Sequence, residues 1–272
     1  MTRTVLVTGS TDGIGRATAR ELAARGLRVI VHGRSKAKVD AAIAALRAEL
    51  PGGELEGVAF DLGTLAGVRR GAQAVLELAP ELHVLVNNAG IFASERVVTE
   101  DGVEATFAVN YLGPFLLTEL LAPRLEASAA GGVPSRVIDL ASIAHTRGRI
   151  HLDDLTLASA WTGYAAYAQS KLANVMHAIM LAERRDPAKL VAYSLHPGVI
   201  ATKLLRQGFG PVQGQSAEAG ARTPVRLAAG ETVDEKSGTY FNEGGPTQPA
   251  PAARDAAVRA ALWDASIKLA KL

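Results

Sequence analysis

The chain has 272 residues, 48% of them hydrophobic and 21% charged, with a net charge of +2. That composition supports a full core, and the near balance of charge removes the electrostatic case for binding nucleic acid or an anionic membrane. No cysteine is present, which excludes disulfides, thiolate catalysis and cysteine–zinc sites.

The chain enters directly on a β pattern over 4–8, Thr4-Val5-Leu6-Val7-Thr8, with no basic-then-apolar leader before it. No stretch approaches ~18 uninterrupted apolar residues. The expectation is a cytoplasmic chain without a membrane span. Thr8-Gly9-Ser10-Thr11-Asp12-Gly13-Ile14-Gly15 leads into a helix over 14–25, closed by Gly26. A strand over 28–32 ends at His32-Gly33-Arg34-Ser35, with Ser35 placed to cap a helix over 36–50. Pro51-Gly52-Gly53 stops it. A strand over 55–60 leads through Asp61-Leu62 to Thr64, the expected cap of a helix over 65–79 that Pro80 ends. The strand over 82–86 runs into Asn87-Asn88-Ala89-Gly90. A long helix over 101–127 contains Asn110 and Gly113-Pro114, which are locally unfavourable there.

A strand over 136–140 is followed by Ser142. A helix over 164–185 carries Tyr167-Ala168-Gln169-Ser170-Lys171 and stops at Pro187. A strand over 190–195 opens into His196-Pro197-Gly198-Val199-Ile200-Ala201-Thr202. A helix over 216–229, a short strand over 239–241 and a helix over 252–269 complete the chain. Residues 207–222 and 243–253, richer in Gly, Pro and Ser, are expected as loops over an active site. The first five strands are apolar runs, as strands covered on both faces should be. Repeated β-α-β units with right-handed crossovers give a single doubly wound α/β domain over 1–272, of the Rossmann type. Its parallel sheet should have about seven strands, with helices on both faces.

Three turns at strand ends read as a nucleotide site. The glycines after the first strand let backbone approach a pyrophosphate at a helix N-terminus. Their spacing is G-x-x-x-G-x-G rather than G-x-G-x-x-G, and the alternative is a glycine turn with no ligand. Gly33 stands near the place where an acidic residue would bind a ribose 2′-hydroxyl. Arg34 follows it and could clamp a 2′-phosphate, with Ser35 and Lys36 adding to the site. This favours NADP(H) over NAD(H), against the alternative of a solvated arginine. Asp61 could accept from an adenine amine or simply lead a helix. The Asn87-Asn88-Ala89-Gly90 turn should face the cofactor, or its side chains brace neighbouring loops.

Tyr167 and Lys171 stand four apart on one helix face, where an ammonium stabilises phenolate and lowers the Tyr pKa from about 10. Alone, such a pair is ordinary. With Ser142, Asn110, the glycine loop, the Asn-Asn-Ala-Gly turn and the Pro-Gly-x-x-x-Thr segment in this order, the chain resembles the short-chain dehydrogenase/reductase family over nearly its whole length. Ser142-Ile143-Ala144-His145, Tyr167 through Asn174, Leu262-Trp263 and Ser266 resemble its retinol-dehydrogenase-like branch, as does the 25-residue step from Ser142 to Tyr167. Ala141 departs from the pattern, standing where many relatives carry a second Ser.

The resemblance implies an oxidoreductase interconverting a carbonyl and an alcohol. It makes Tyr167 the general acid/base and Ser142 the group that polarises the substrate oxygen. Lys171 is implied to bind the nicotinamide ribose and lower the Tyr pKa, and Asn110 to hold a water linking Lys171 to solvent. Gly9, Ser10, Thr11, Asp12, Gly13, Ile14 and Gly15 form its phosphate loop. Asp61, Leu62, Asn88, Ala89 and Gly90 line the cofactor. Pro197, Gly198, the Ile200 backbone and Thr202 grip the carboxamide, exposing the pro-S hydride. The helices over 101–127 and 164–185 are the family's usual dimerisation surface, so a homodimer or homotetramer is expected. Residues 143–163, 203–221 and 242–252 should line the substrate pocket, where Trp161 and Phe209 suggest a bulky apolar carbonyl. A catalytically silent dinucleotide sensor is the alternative from another class. His32, His83, His145, His151, His177 and His196 lack metal-ligand spacing and read as surface, loop or packing residues. No G-x-S-x-G elbow surrounds Ser142, and Asp153-Asp154 reads as a solvated pair.

Overall fold

A computed structural model describes residues 2–230 and 233–272. Val5, Leu6 and Val7 in β1 (Thr4–Val7) have no exposed surface, because the strand is flanked by two others and covered on both faces. The first half of the chain continues through α1 (Gly13–Ala24), β2 (Arg28–Gly33), α2 (Lys36–Glu49), β3 (Leu55–Ala59), α3 (Leu65–Leu78) and β4 (Val84–Asn87). The second half holds α4 (Ala105–Phe107), a π-helical turn (Ala108–Leu112), α5 (Gly113–Ser128) and β5 (Ser135–Leu140). A 3₁₀ turn (Ile143–Arg147), α6 (Gly163–Arg184), β6 (Leu190–His196), α7 (Lys203–Phe209) and α8 (Ala217–Ala229) follow. The chain closes with β7 (Tyr240–Asn242), β8 (Gly245–Thr247), a second 3₁₀ turn (Pro251–Arg254) and α9 (Ala256–Ala270).

The strands form one sheet in the order β3-β2-β1-β4-β5-β6-β7-β8. Every neighbouring pair is parallel except β7 with β8. Alternation along the strands divides the core. Leu6, Leu85, Val137 and Ala192 pack towards α3, α5 and α6, while Val5, Val7, Val84, Val86 and Ile138 pack towards α1, α2 and α8. Burying each such Val or Leu contributes roughly 1.5–3 kcal/mol.

The structure departs from the sequence expectations at identifiable places. The sheet has an eighth strand inside the supposed loop 243–253. The Gly-Pro-Thr strand is exposed and sits on the edge, where no apolar run is needed. The other expected loop, 207–222, is partly helical at both ends, in α7 and α8. Ser35 takes the N-cap position of α2 without a side-chain capping bond, whereas Thr64 accepts from the Gly67 N–H at 3.1 Å. The helix expected over 101–127 starts at Ala105 and widens into the π-helical turn at Asn110. Pro114 follows directly on the π-helical turn, so its missing N–H leaves the Asn110 carbonyl without a helical donor, and Asn174 Nδ2 takes that place at 2.8 Å. The run Ala105–Ser128 has a mean hydropathy of 1.2, apolar enough by length and composition to cross a membrane, but 78% of that window is buried inside the protein.

The last helix lies across the outer side of α5 and α6. Tyr111 Oη and Ser266 Oγ meet at 2.7 Å, Trp263 packs edge-on to Phe115 at 5.1 Å, and Arg259 pairs with Glu183 at 2.5 Å. Arg69 on α3 donates to the carbonyls of Ala270 and Lys271, tying down the far end.

Candidate active site

The turns that follow β1, β2, β4, β5 and β6 meet at the carboxyl edge of the sheet, where an open parallel sheet leaves a crevice. After β1 the backbone reverses at Gly9, with φ +63°, and a Cβ there would lie 2.8 Å from Ala89 Cα. The loop after β1 therefore lies flush on the loop after β4. Thr8 and Asn88 stitch the two together: Ala89 N donates to Thr8 Oγ1 at 3.0 Å, and Asn88 Nδ2 donates to the carbonyl of Thr8 at 2.7 Å. The bracing reading of Asn88 is the one its side chain follows.

His32 holds the same loop from below. Its Nδ1 accepts from Gly9 N at 3.0 Å, and its Nε2 faces the Phe60 carbonyl at 3.1 Å. These contacts require a neutral ring with its proton on Nε2, and burial pushes the pKa down to about 4. Ser10 also turns inward, donating to the Val7 carbonyl at 2.7 Å. Asp12 caps α1 through Gly13 N at 2.8 Å and pairs with Lys203 on α7 at 2.5 Å. Lys203 holds the Asp12 carboxyl below its usual range. Ile14 and Ile200 both approach Gly220 on α8, and the Thr202 methyl faces Gly13. The first-turn amides of α1 have no intrahelical acceptors. A glycine-lined cradle at a helix N-terminus fits a dinucleotide pyrophosphate.

At the end of β2, a Cβ on Gly33 would lie 2.6 Å from Thr11 Cγ2. Close packing thus leaves little room for an acidic side chain at this position. Arg34 is exposed and has no hydrogen bond or ion pair among the described residues. Ser35 is exposed beside it, and Lys36 is turned to Asp40 at 2.6 Å. Asp61 Oδ1 accepts from Gly63 N at 2.8 Å, closing its own turn, while Leu62 is buried with its carbonyl against Gly113.

The π-helical turn carries Asn110 to the centre of the site. Its Nδ2 donates to the Ile91 carbonyl at 3.0 Å and to Ser170 Oγ at 3.0 Å, while its Oδ1 accepts from Ile91 N at 2.8 Å. Asn174 Nδ2 donates to the Asn110 main-chain carbonyl at 2.8 Å. Gly90 lies against both Asn110 Oδ1 and Lys171 Nζ.

On α6, Tyr167 and Lys171 are both buried. Lys171 Nζ donates to the Leu140 carbonyl at 2.7 Å and lies 5.7 Å from the centre of the Tyr167 ring. Burial pushes the Lys171 ammonium down to about 8, against an opposing pull from Asp139. Burial pushes the Tyr167 phenol up to about 12, with the Ser142 hydrogen bond pulling the other way. In this structure the phenol is therefore raised, not lowered. Desolvation dominates, and the ammonium is aimed at a carbonyl.

Ser142 caps the 3₁₀ turn, accepting from Ala144 N at 3.2 Å. Its carbonyl accepts from His145 Nδ1 at 2.7 Å, and His145 Nε2 accepts from Ala250 N at 3.2 Å. After β6, Pro197 and Gly198 lead to Ile200, whose carbonyl accepts from Thr202 N at 2.7 Å, and Thr202 Oγ1 caps α7 through Leu205 N at 3.3 Å.

Phe209 lies over the site, 5.9 Å from the Tyr167 ring and 5.5 Å from Phe92. Trp161 instead donates to Glu104 Oε1 at 3.3 Å. Phe92 was not singled out in the sequence, although it stands two residues beyond Gly90. Among the described residues, no group of three or more His, Asp or Glu side chains is placed to hold a metal.

The sequence profile described as short chain dehydrogenase matches residues 3–209. A polyprenol dehydrogenase from Mus musculus is 38% identical over 98% of this chain and 83% of its own. Retinol dehydrogenase 12 from Homo sapiens is 36% identical over 98% of this chain and 86% of its own. A solved structure of a Mycobacterium paratuberculosis protein superposes with a TM-score of 0.81 at 36% identity, covering 99% of this chain and 93% of that one. The chain belongs to the short-chain dehydrogenase family of oxidoreductases, in its retinol-dehydrogenase-like branch.

Proposed function

We propose that the protein is an NADP(H)-dependent oxidoreductase that interconverts a carbonyl and an alcohol, with Tyr167 as general acid/base. The observation that carries this reading is the position of the Tyr167 hydroxyl. It is bonded to Ser142, one turn from the buried Lys171, at the sheet edge that also holds the glycine cradle. The nicotinamide, when bound, supplies or accepts the hydride. Ser142 orients the substrate oxygen. Tyr167 gives that oxygen a proton in reduction and removes one in oxidation. A phenol pushed up to about 12 holds its proton at neutral pH, the form that reduction uses. In oxidation, the Ser142 hydrogen bond and the Lys171 ammonium are the groups that stabilise phenolate.

Lys171 keeps two N–H donors beyond its bond to Leu140, enough for a ribose diol. Asn110 clamps the loop carrying Gly90 and Ile91, and the second lone pair of its carbonyl is the place for a water. Pro197, Gly198, Ile200 and Thr202 hold the carboxamide and so select the ring face. Arg34 takes the 2′-phosphate, since it is uncommitted and Gly33 leaves no acidic competitor beside it. The aromatic cluster of Phe92, Tyr164 and Phe209 around Tyr167 suits an apolar substrate, as do the exposed Ile91, Ile143 and Val199. Relatives named for polyprenol and retinol point the same way.

The test follows NADPH absorbance with a panel of apolar aldehydes and ketones. Tyr167→Phe should lose about 10²-fold or more in turnover while NADPH still binds, and retained turnover would remove Tyr167 from the chemistry. In the same assay Arg34→Ala should weaken NADPH far more than NADH. Equal weakening of both would reassign the preference.

A further inference from the structure

Asp139 lies near the end of β5, fully buried, one residue before the carbonyl that receives Lys171 Nζ. Both of its carboxylate oxygens accept N–H bonds. Oδ1 accepts from Asn87 Nδ2 at 2.8 Å, across the β4–β5 pairing, and Oδ2 accepts from His177 Nδ1 at 2.8 Å. Asn87 is itself fixed by Thr118 on α5 at 3.1 Å. Two N–H donors are a pattern suited to the ionised carboxylate.

His177 sits six residues beyond Lys171 on α6, against Tyr111 at 6.3 Å and Phe115 at 5.6 Å. Its Nε2 is buried and meets no partner among the described residues. A neutral ring with its proton on Nδ1 satisfies this geometry, because a second N–H would be buried without an acceptor. His177 therefore supplies a donor rather than a compensating charge. The negative charge of Asp139 stays in the interior, where an isolated ion is costly unless a counter-charge stands near.

Lys171 has the mirror-image need. The groups around it are Tyr167 on its own helix, the Leu140 carbonyl from the β5 end, and Asn110 and Gly90 from the loops, all uncharged at neutral pH. Asp139 is the acidic group whose charge acts on it, opposing the effect of burial. The further groups facing the carboxylate side are Tyr111, Thr118 and Ser194, also uncharged.

We propose that the Asp139 carboxylate, held by His177 and Asn87, is the buried counter-charge that keeps the Lys171 ammonium charged and in place beneath Tyr167. Asp139 is thus a positioning residue, acting through Lys171 without touching substrate. This rests on the reading of Tyr167 and Lys171 as the reacting pair, but its first readout does not require turnover.

That readout is an NMR titration of the cofactor-free protein carrying ¹³Cε-labelled lysine, with the Lys171 signal assigned by its loss in Lys171→Arg. Asp139→Asn should lower the Lys171 midpoint by about 1 pH unit or more. The alkaline limb of the pH–rate profile should move the same way. An unmoved midpoint in a folded Asp139→Asn protein, with activity lowered evenly at all pH values, would overturn the proposal and leave a purely structural brace. Should Asp139→Asn fail to fold, the pair His177→Gln and His177→Phe decides. The glutamine keeps an N–H for Asp139 and should preserve the midpoint, whereas the phenylalanine should lower it. Equal midpoints in the two would overturn it. A shifted midpoint alongside full turnover in Tyr167→Phe would sink the catalytic reading while leaving the counter-charge intact.

Discussion

The two ring nitrogens of His32 do different jobs: one receives the amide that shapes the glycine loop, the other faces the end of β3. Protonating the ring would abolish the first contact. Its pKa is pushed from the ordinary 6.5 down to about 4 in the folded chain. Between those values the unfolded chain binds more protons than the folded one, so stability declines as pH falls from 6.5 towards 4. The His32 contribution is on the order of 3 kcal/mol. Burial also depresses His83, His145 and His196, which add to the same slope. Urea unfolding across this range should show the decline, and His32→Phe should lower stability at pH 7 while flattening the slope. An unchanged slope would remove His32 from the account. At this scale the sequence made Tyr167, Lys171, Ser142 and Asn110 legible because each has a fixed spacing or breaks a local rule. It did not reveal His32, His145 or His177. A buried histidine is recognised by the atoms around it, and apart from the Ser142 carbonyl beside His145 those come from 23 to 105 residues away.

The π-helical turn and the start of α5 are positioned by one close approach. A Cβ on Gly113 would fall well inside contact distance of the Leu62 carbonyl, which is backbone and has nowhere to go. Gly113→Ala should therefore cost about 1–3 kcal/mol. Because Asn110 lies in the turn just before, cofactor affinity should fall with it. Chemical denaturation and a cofactor titration on the same variant check both, and unchanged stability would show that the loop after β3 can yield. The parallel strands could be read in advance because strands covered on both faces must be continuous apolar runs. The π turn could not, since its residues keep a helical pattern and only Asn110 and Gly113-Pro114 hinted at a break. Both α7 and β8 escaped for the opposite reason: they are short and lie at the surface, so solvent rather than a core decided their composition.

For the molecule as a whole, α9 decides which surface remains open. The outer side of α5 and α6, where the family resemblance led us to expect a dimer, is covered by Leu262, Trp263 and Ser266 from the same chain. A pairing of two copies through that side would first have to displace α9. Light scattering on the intact protein should therefore give the mass of one chain, 28.3 kDa, and deleting the residues after 254 should produce self-association or aggregation. A stable dimer that survives that deletion unchanged would place the contact elsewhere. The bond from Ala250 to His145, and from His145 to the Ser142 carbonyl, has a temporal consequence. Asn110, Ser142, Tyr167 and Lys171 all emerge from the ribosome well before residue 250. The loop that carries Ser142 gains this brace only once residue 250 has been made, so a growing polypeptide that already holds those four side chains still lacks one of the contacts that fix their geometry.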